Sequence, residues 1–244
     1  RVILVEGSYE DAVQACHRES EEHRWQVVSD VGYEGYLDVP PLVVEGYSTL
    51  FGELDDQLAV VGVEPDIVLI PGGVGGILHA GVDHYRARST PPRIVGVEPR
   101  EADCLTSSLL STTGGPTPAA GTGRTGMACL NCAEVSLPSW PSIRRGVDAL
   151  VAIEDGYAEE AVRRLYQAVP SEVSLAAGTS GAAALGGLLA LQWAPGCRAA
   201  GEHLALGTRS VAVVICTEGA IDRPTFDRVV AAPSFGPLPP SPAP

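Results

Sequence analysis

The chain alternates short apolar runs with longer stretches of mixed polarity. Val2–Val5, Trp25–Val28, Ile67–Ile70, Ile94–Val97, Ala149–Ile153 and Val211–Cys216 are each four to six residues long and bounded by turn residues. Runs of that length are too short for helices and predict strands. Between them, Tyr9–Arg24 carries helical spacing, with Ala12, Val13, Ala15 and Cys16 facing a core. Further helices are predicted from about Leu42, after Pro40-Pro41, to Val61, and from the glycines at 72–76 to near Arg88. Others cover Glu101–Leu110, Tyr157–Ala168 and Ser180–Trp193. Val31–Tyr36 reads as a polar, aromatic loop. Residues 111–126 are almost wholly Ser, Thr, Gly, Pro and Ala, and so long a loop inside a domain is functional or mobile. Ala231–Pro244 is rich in Pro and Ser and is predicted to be disordered.

Strands that alternate with helices imply an α/β chain whose mostly parallel sheet is covered on both faces, in three layers. Ligands of such sheets collect at the C-terminal strand ends. Asp30, the 72–76 glycines, Glu98 and Cys216-Thr-Glu-Gly219 all stand at predicted strand ends. The most informative stretch is Asp66–Ala80, where the buried run Ile67–Ile70 meets Pro71 and then four glycines in five positions. A strand feeding a glycine turn that opens a helix lets backbone N–H groups approach an anion at the positive end of the helix dipole. The plainer alternative is a tight turn and nothing more.

Composition narrows the partner. A formal net charge of −14 leaves no basic stripe to neutralise nucleic-acid phosphates. Val173–Trp193 has the length of a membrane span, but Gly178-Thr-Ser-Gly181 interrupts it, so a loop and a buried helix fit better. The opening apolar run is too short for a signal peptide. All 16 basic residues are Arg, so there is no lysine. The single methionine is Met127, so Arg1 is not the expected translation start and the chain reads as a fragment or processed product. The cysteines at 16, 104, 129, 132, 197 and 216 are scattered. Cys129-Leu-Asn-Cys132 is a lone CxxC with no second pair, which favours buried thiols over half a zinc site.

The missing lysine also limits what the glycine turn can hold. A triphosphate loop of the form GxxxxGK[ST] needs its Lys, and the dinucleotide pattern GxGxxG fails because Gly73-Val-Gly75 runs into Gly76-Ile-Leu78. Gly178-Thr-Ser-Gly-Ala182 is one glycine short of a serine-hydrolase elbow. A small phosphate or similar anion remains.

Several motifs together resemble the diaminopropionate ammonia-lyase family. They are Glu6-Gly-Ser-Tyr-Glu-Asp-Ala-Val13, Val27-Val-Ser-Asp-Val-Gly-Tyr-Glu-Gly-Tyr36, the glycine turn, and Val95-Gly-Val-Glu-Pro-Arg-Glu-Ala-Asp-Cys104. Gly126-Met-Ala-Cys-Leu-Asn-Cys-Ala-Glu134, Ala177-Gly-Thr-Ser-Gly-Ala182 and Cys216-Thr-Glu-Gly219 follow in the same order. The resemblance runs from Gly7 to about Arg228 and implies a tryptophan-synthase-β-like enzyme of fold type II that uses pyridoxal 5'-phosphate. It implies that Gly73, Val74, Gly75 and Gly76 hold the cofactor phosphate, and that the substrate is a small amino acid, 2,3-diaminopropionate, converted by α,β-elimination to pyruvate and ammonia. Asp30 matches an acidic position facing the substrate and becomes the acid–base candidate, although a turn or helix-cap aspartate is the alternative. Cys216, with Thr217 beside it, matches the partner of the cofactor ring nitrogen. Ser180 is a second candidate for that role, and Cys216 also reads as a small core residue. Cys104 and Cys132 stand at family cysteine positions and are candidates to pair. A homodimer in the cytoplasm, bound to neither nucleic acid nor membrane, goes with the resemblance.

The departure from the family is the lysine that carries the cofactor, expected in an N-terminal lobe. Residues 1–24 are expected to be the end of that lobe, 25–230 the phosphate-binding large domain, and 231–244 a Pro-rich tail. A serine/threonine dehydratase-like enzyme and a non-catalytic phosphate-binding relative are the alternative readings.

Overall fold

The computed structural model describes residues 2–167 and 173–235. Among them lies a four-stranded, wholly parallel sheet of β1 (Ile67–Pro71), β2 (Arg93–Pro99), β3 (Ala149–Ile153) and β4 (Ala212–Val214), in the order β3-β2-β1-β4. The register pairs Ile67 with Arg93 and with Ala212, and Val95 with Ala149.

Burial on both faces explains why β1 is continuously apolar. Val68 and Ile70 turn to one layer, against Phe51, Leu78, Tyr85 and Ile143. Ile67 and Leu69 turn to the other, against Ala184, Ala190 and Leu191. The first layer packs α2 (Pro40–Gly46), α3 (Ser48–Val61), α4 (Gly76–Arg86), α5 (Cys104–Leu110) and α6 (Trp140–Gly146) into one cluster with the sheet, while α1 (Tyr9–His23) reaches only the small cluster of Val31, Val74 and Cys132 through Val13. On the opposite side lie α7 (Asp155–Tyr166) and α8 (Ala183–Trp193), flanked by α9 (Arg198–His203) and α10 (Arg223–Ala231). No described helix is long and apolar enough to cross a membrane.

Five predicted elements change, among them the helix expected over Glu101–Leu110, which starts only at Cys104 after a 3-10 turn over Arg100–Ala102. Val2–Val5 and Trp25–Val28 are not strands; no strand among the described residues lies beside either, and Leu4 and Val28 are 93% and 78% exposed. A short apolar run becomes a strand only where a neighbour offers ladder partners. The single helix expected over 42–61 is broken at Tyr47, where the chain passes from α2 into α3. The last strand is cut to Ala212–Val214 because only β1 pairs with it. The α1 core face is thin: Ala12 and Cys16 are exposed, Val13 and Ala15 half-buried, and Ser20 alone is buried. The helix is instead defined at its start by a Ser8–Asp11 capping box and docked by Glu10, whose Oε1 accepts the Ala133 amide at 2.8 Å.

The tail expected to lack structure is organised up to residue 235. Ala231 ends α10, and the Ser234 hydroxyl and Phe235 amide both donate to the buried Glu160 carboxylate. Residues 236–244, and the predicted end of α7 at Ala168, lie outside the described residues.

Candidate active site

The glycine turn joins β1 to α4 as the sequence predicts. Gly72 N–H donates to Val97 O at 2.7 Å, which extends the β1–β2 ladder one step past Pro71. Gly73 and Gly75 then adopt φ of +54° and +101°, a left-handed backbone that other residues reach only with strain. Gly75 is the N-cap of α4 and, having no side chain, caps nothing. The amides of Gly73, Gly76 and Ile77 therefore find no acceptor among the described residues, while the Val74 amide donates to the Cys132 sulfur. A Cβ added at Gly73 would meet Leu130 Cδ2 at 3.4 Å and one at Gly76 would meet Tyr47 Cε2 at 3.9 Å, ordinary contact distances, so side chains stand beside both glycines. Unpaired N–H groups at the positive end of an 11-residue helix fit a phosphate dianion.

Three surfaces close on this turn. On one side Cys104 Sγ lies 3.6 Å from Gly73 O, with Cys132 also against Gly73. Both thiols are buried and free, so these two candidates to pair are not bonded to each other. Burial, with the charges of Glu10 and Asp30, pushes the Cys132 thiol up to about 12. Beneath lies Glu98, fully buried at the end of β2, its carboxylate accepting the amides of Leu105 and Thr106 at 3.0 and 2.7 Å. On the third side Tyr47, at the break between α2 and α3, packs its ring against Gly76.

Asp30 stands over the same place. Its carboxylate makes no hydrogen bond among the described residues and caps no helix, which removes the cap alternative. Burial raises Tyr9, Tyr47 and Cys132 above their ordinary values, and the charge of Asp30 adds to the rise in each, which sets all three within its electrostatic reach. The loop that carries Asp30 is shaped by Tyr36, whose hydroxyl accepts Ser29 N at 2.9 Å and donates to Val27 O at 3.2 Å. A cavity of about 430 Å³ lies beside it, lined by Tyr9, Val13, Val31, Tyr33, Glu134 and Leu137 among others, a volume suited to small molecules.

The remaining candidates cluster on the α7–α8 side. Ser180 is buried before α8, its hydroxyl accepting Cys129 N at 3.1 Å. Cys216 is exposed rather than a core thiol, because β4 ends at Val214 and the chain turns so that Sγ lies 3.8 Å from Glu218 O. Thr217 beside it is exposed too. Glu218 gathers this corner, accepting Gly178 N on its carbonyl at 3.1 Å and the exposed Cys129 thiol on its carboxylate at 3.3 Å. Cys129 is therefore not a buried thiol, unlike its CxxC neighbour Cys132, which is.

The Pyridoxal-phosphate dependent enzyme family profile matches residues 1–208. The chain belongs to that family. Its cofactor is pyridoxal phosphate, and the open amides of the glycine turn suit that molecule's single phosphate. Diaminopropionate ammonia-lyase of Escherichia coli strain K12 is 33% identical over 232 residues, covering 93% of this chain and 57% of the relative. Phenylserine dehydratase of Ralstonia pickettii is 32% identical over 191 residues, covering 78% and 53%. A crystal structure of the E. coli ammonia-lyase, in complex with an aminoacrylate–PLP azomethine intermediate, superposes with a TM-score of 0.82 at 30% identity, covering 93% of this chain and 57% of that one. The expected fold-type-II architecture holds. The chain thus spans 57% of the length of the E. coli relative.

Two residues at this site escaped sequence reasoning. Tyr47 sits inside what reads as one helix, and only the neighbouring Gly46 hints at the break. Ser136 lies in an unremarkable Val-Ser-Leu-Pro run with no motif to announce it.

Proposed function

We propose that this chain forms the phosphate-binding part of a lyase that eliminates the β-amino group of 2,3-diaminopropionate, giving pyruvate and releasing both nitrogens as ammonia. One observation carries the reading: the unbonded Asp30 carboxylate and the open amides of the glycine turn share one place at the C-terminal edge of the sheet. Pyridoxal phosphate, when bound, supplies an electron sink for charge that develops on the substrate's α-carbon. The chain's own residues do the rest. The amides of Gly73, Gly76 and Ile77 hold the phosphate, Val74 N–H being turned to the Cys132 sulfur, and the dipole of α4 favours the charge. Asp30, whose carboxylate has no hydrogen-bond partner among the described residues, takes or returns a proton at the substrate's α-carbon or β-nitrogen. Cys216, Thr217 and Ser180 are the groups proposed to face the ring nitrogen; a thiol there is a weak hydrogen-bond partner. The 244 residues contain no lysine, so a covalent anchor must come from outside them.

The similarity to phenylserine dehydratase supports a second reading, in which the leaving group is a hydroxyl. A homodimer and a cytoplasmic setting are carried by the resemblance alone. The test uses the natural full-length protein with pyridoxal phosphate. Pyruvate and ammonia are followed with 2,3-diaminopropionate, serine and threonine as substrates. Turnover of diaminopropionate at least about tenfold above the hydroxy amino acids, in kcat/KM, supports the proposal. The reverse order supports the dehydratase reading, and no turnover of any substrate overturns both. Asp30→Asn should lower kcat by about 10²- to 10⁴-fold while leaving cofactor affinity unchanged.

A further inference from the structure

We propose that Ser136 is the positioning residue of this site, locking the Asp30 loop to the glycine turn through its buried hydroxyl and amide. The inference deepens the lyase reading and rests on it. Ser136 is fully buried. Its amide donates to Val74 O at 2.9 Å, inside the glycine turn. Its hydroxyl oxygen accepts Gly32 N at 2.8 Å, two residues from Asp30. Leu137 N completes the joint by donating to Gly32 O, also at 2.8 Å. A single residue thereby connects the proposed acid–base group to the proposed phosphate cradle.

The joint has little slack. A Cβ at Gly32 would lie 2.4 Å from Pro138 Cδ and 3.3 Å from Pro40 Cγ, so only glycine lets the loop come this close. The same short turn also grips α4. Ser139 Oγ lies 3.3 Å from His79 Nδ1, and His79 Nε2 lies 3.1 Å from Asp83 Oδ2. That trio has the connectivity of a hydrolase triad, but Ser139 is only 1% exposed and no substrate reaches it. It serves as a bracket that holds the turn to the helix the glycines open.

Asp30 needs such a joint because its carboxylate makes no hydrogen bond among the described residues. Tyr36 secures the chain before it, at Val27 and Ser29. The Ser136–Gly32 bond secures the chain after it. Proton transfer depends steeply on position, and a displacement near 1 Å can cost about a hundredfold in rate.

The test uses the natural full-length protein loaded with pyridoxal phosphate. Ser136→Ala should lower kcat for elimination by about tenfold while KM and cofactor affinity change by less than about twofold. Hydrogen exchange should accelerate in peptides covering residues 29–36 and stay as in the wild type over 67–80. Gly32→Ala keeps the hydroxyl but forces the loop off Pro138, and should give the same pattern. On an Asp30→Asn background, Ser136→Ala should remove nothing further from kcat, since it acts through that carboxylate. Unchanged exchange over 29–36, an equal rise over both segments, or an additive loss in the double variant would each overturn the proposal. If Asp30→Asn alone leaves turnover intact, the acid–base reading fails, and the exchange comparison still decides whether the joint exists.

Discussion

Glu98 offers the sharpest check on how the site is built. The carboxyl is fully buried at the end of β2, under the glycine turn, with two amides of α5 donating to it. Burial pushes it from the ordinary 4.5 up to about 7; the hydrogen bonds from Thr106 and Leu105 pull the other way without prevailing, and the charge of Asp103 adds to the rise. A carboxyl that holds its proton more tightly when folded stabilises the fold fully below its unfolded value of 4.5. That contribution is lost as pH rises through about 7 and is constant above. Moving from 4.5 to about 7 corresponds to about 3 kcal/mol. Glu98→Gln removes the titration and keeps one oxygen to accept an amide. Urea unfolding at fixed pH steps from 4.5 to 8 should show the stability gap between wild type and variant narrowing by about 3 kcal/mol as pH rises. Parallel profiles would refute the reasoning. A gap that widened with pH would mean the two amides stabilise the charged form more than burial opposes it.

Other perturbations probe separate parts of the molecule. Gly75→Ala, at φ +101° and with Ile143 Cδ1 only 2.6 Å from the new Cβ, should destabilise by about 1–3 kcal/mol and weaken cofactor binding by about tenfold. Fluorescence titration with pyridoxal phosphate reads this directly, and wild-type affinity would contradict the assigned cradle. Gly35→Ala, at φ +87° with nothing within 4 Å, should cost only about 1–2 kcal/mol of backbone strain in a denaturant melt and should leave cofactor affinity alone. Glu160→Ala strips the buried carboxylate from Arg163 and Arg164, whose Nε atoms lie 3.0 and 2.9 Å away, and releases the Ser234–Phe235 segment. Thermal unfolding should report a loss of about 3–5 kcal/mol. Burial raises the Glu160 carboxyl, but its hydrogen bonds from Ser234, Arg163, Arg164 and Phe235 together hold it below the ordinary range. Its contribution is therefore present above pH 4.5 and lost as pH falls, and Glu160→Gln should flatten that acid limb.

The limits of sequence reading show at particular residues. Ile67–Ile70 and Ile94–Val97 announce themselves because a central parallel strand is apolar at every position, whichever face it turns to. Val2–Val5 has the same pattern and makes no strand, because the pattern does not say whether a neighbour exists. The break at Tyr47 is hidden for a related reason: Gly46-Tyr-Ser48 tolerates helix and turn alike, and packing against Gly76 accompanies the turn. Cys216 looks like a core residue by type, yet its exposure depends on where β4 stops pairing.

By itself, then, the sequence determined the parallel α/β sheet, the glycine turn at the end of β1, and the absence of any lysine to anchor a cofactor. These follow from local composition: short apolar runs, glycines at adjacent positions, a residue type missing throughout. Only the tertiary structure decided that Asp30 lies unbonded beside Tyr9, Tyr47 and Cys132, that Glu98 is sealed beneath the turn, and that Ser136 joins the two halves of the site. Each of those depends on residues distant in the chain meeting at hydrogen-bond or van der Waals range, and no local periodicity encodes such a meeting.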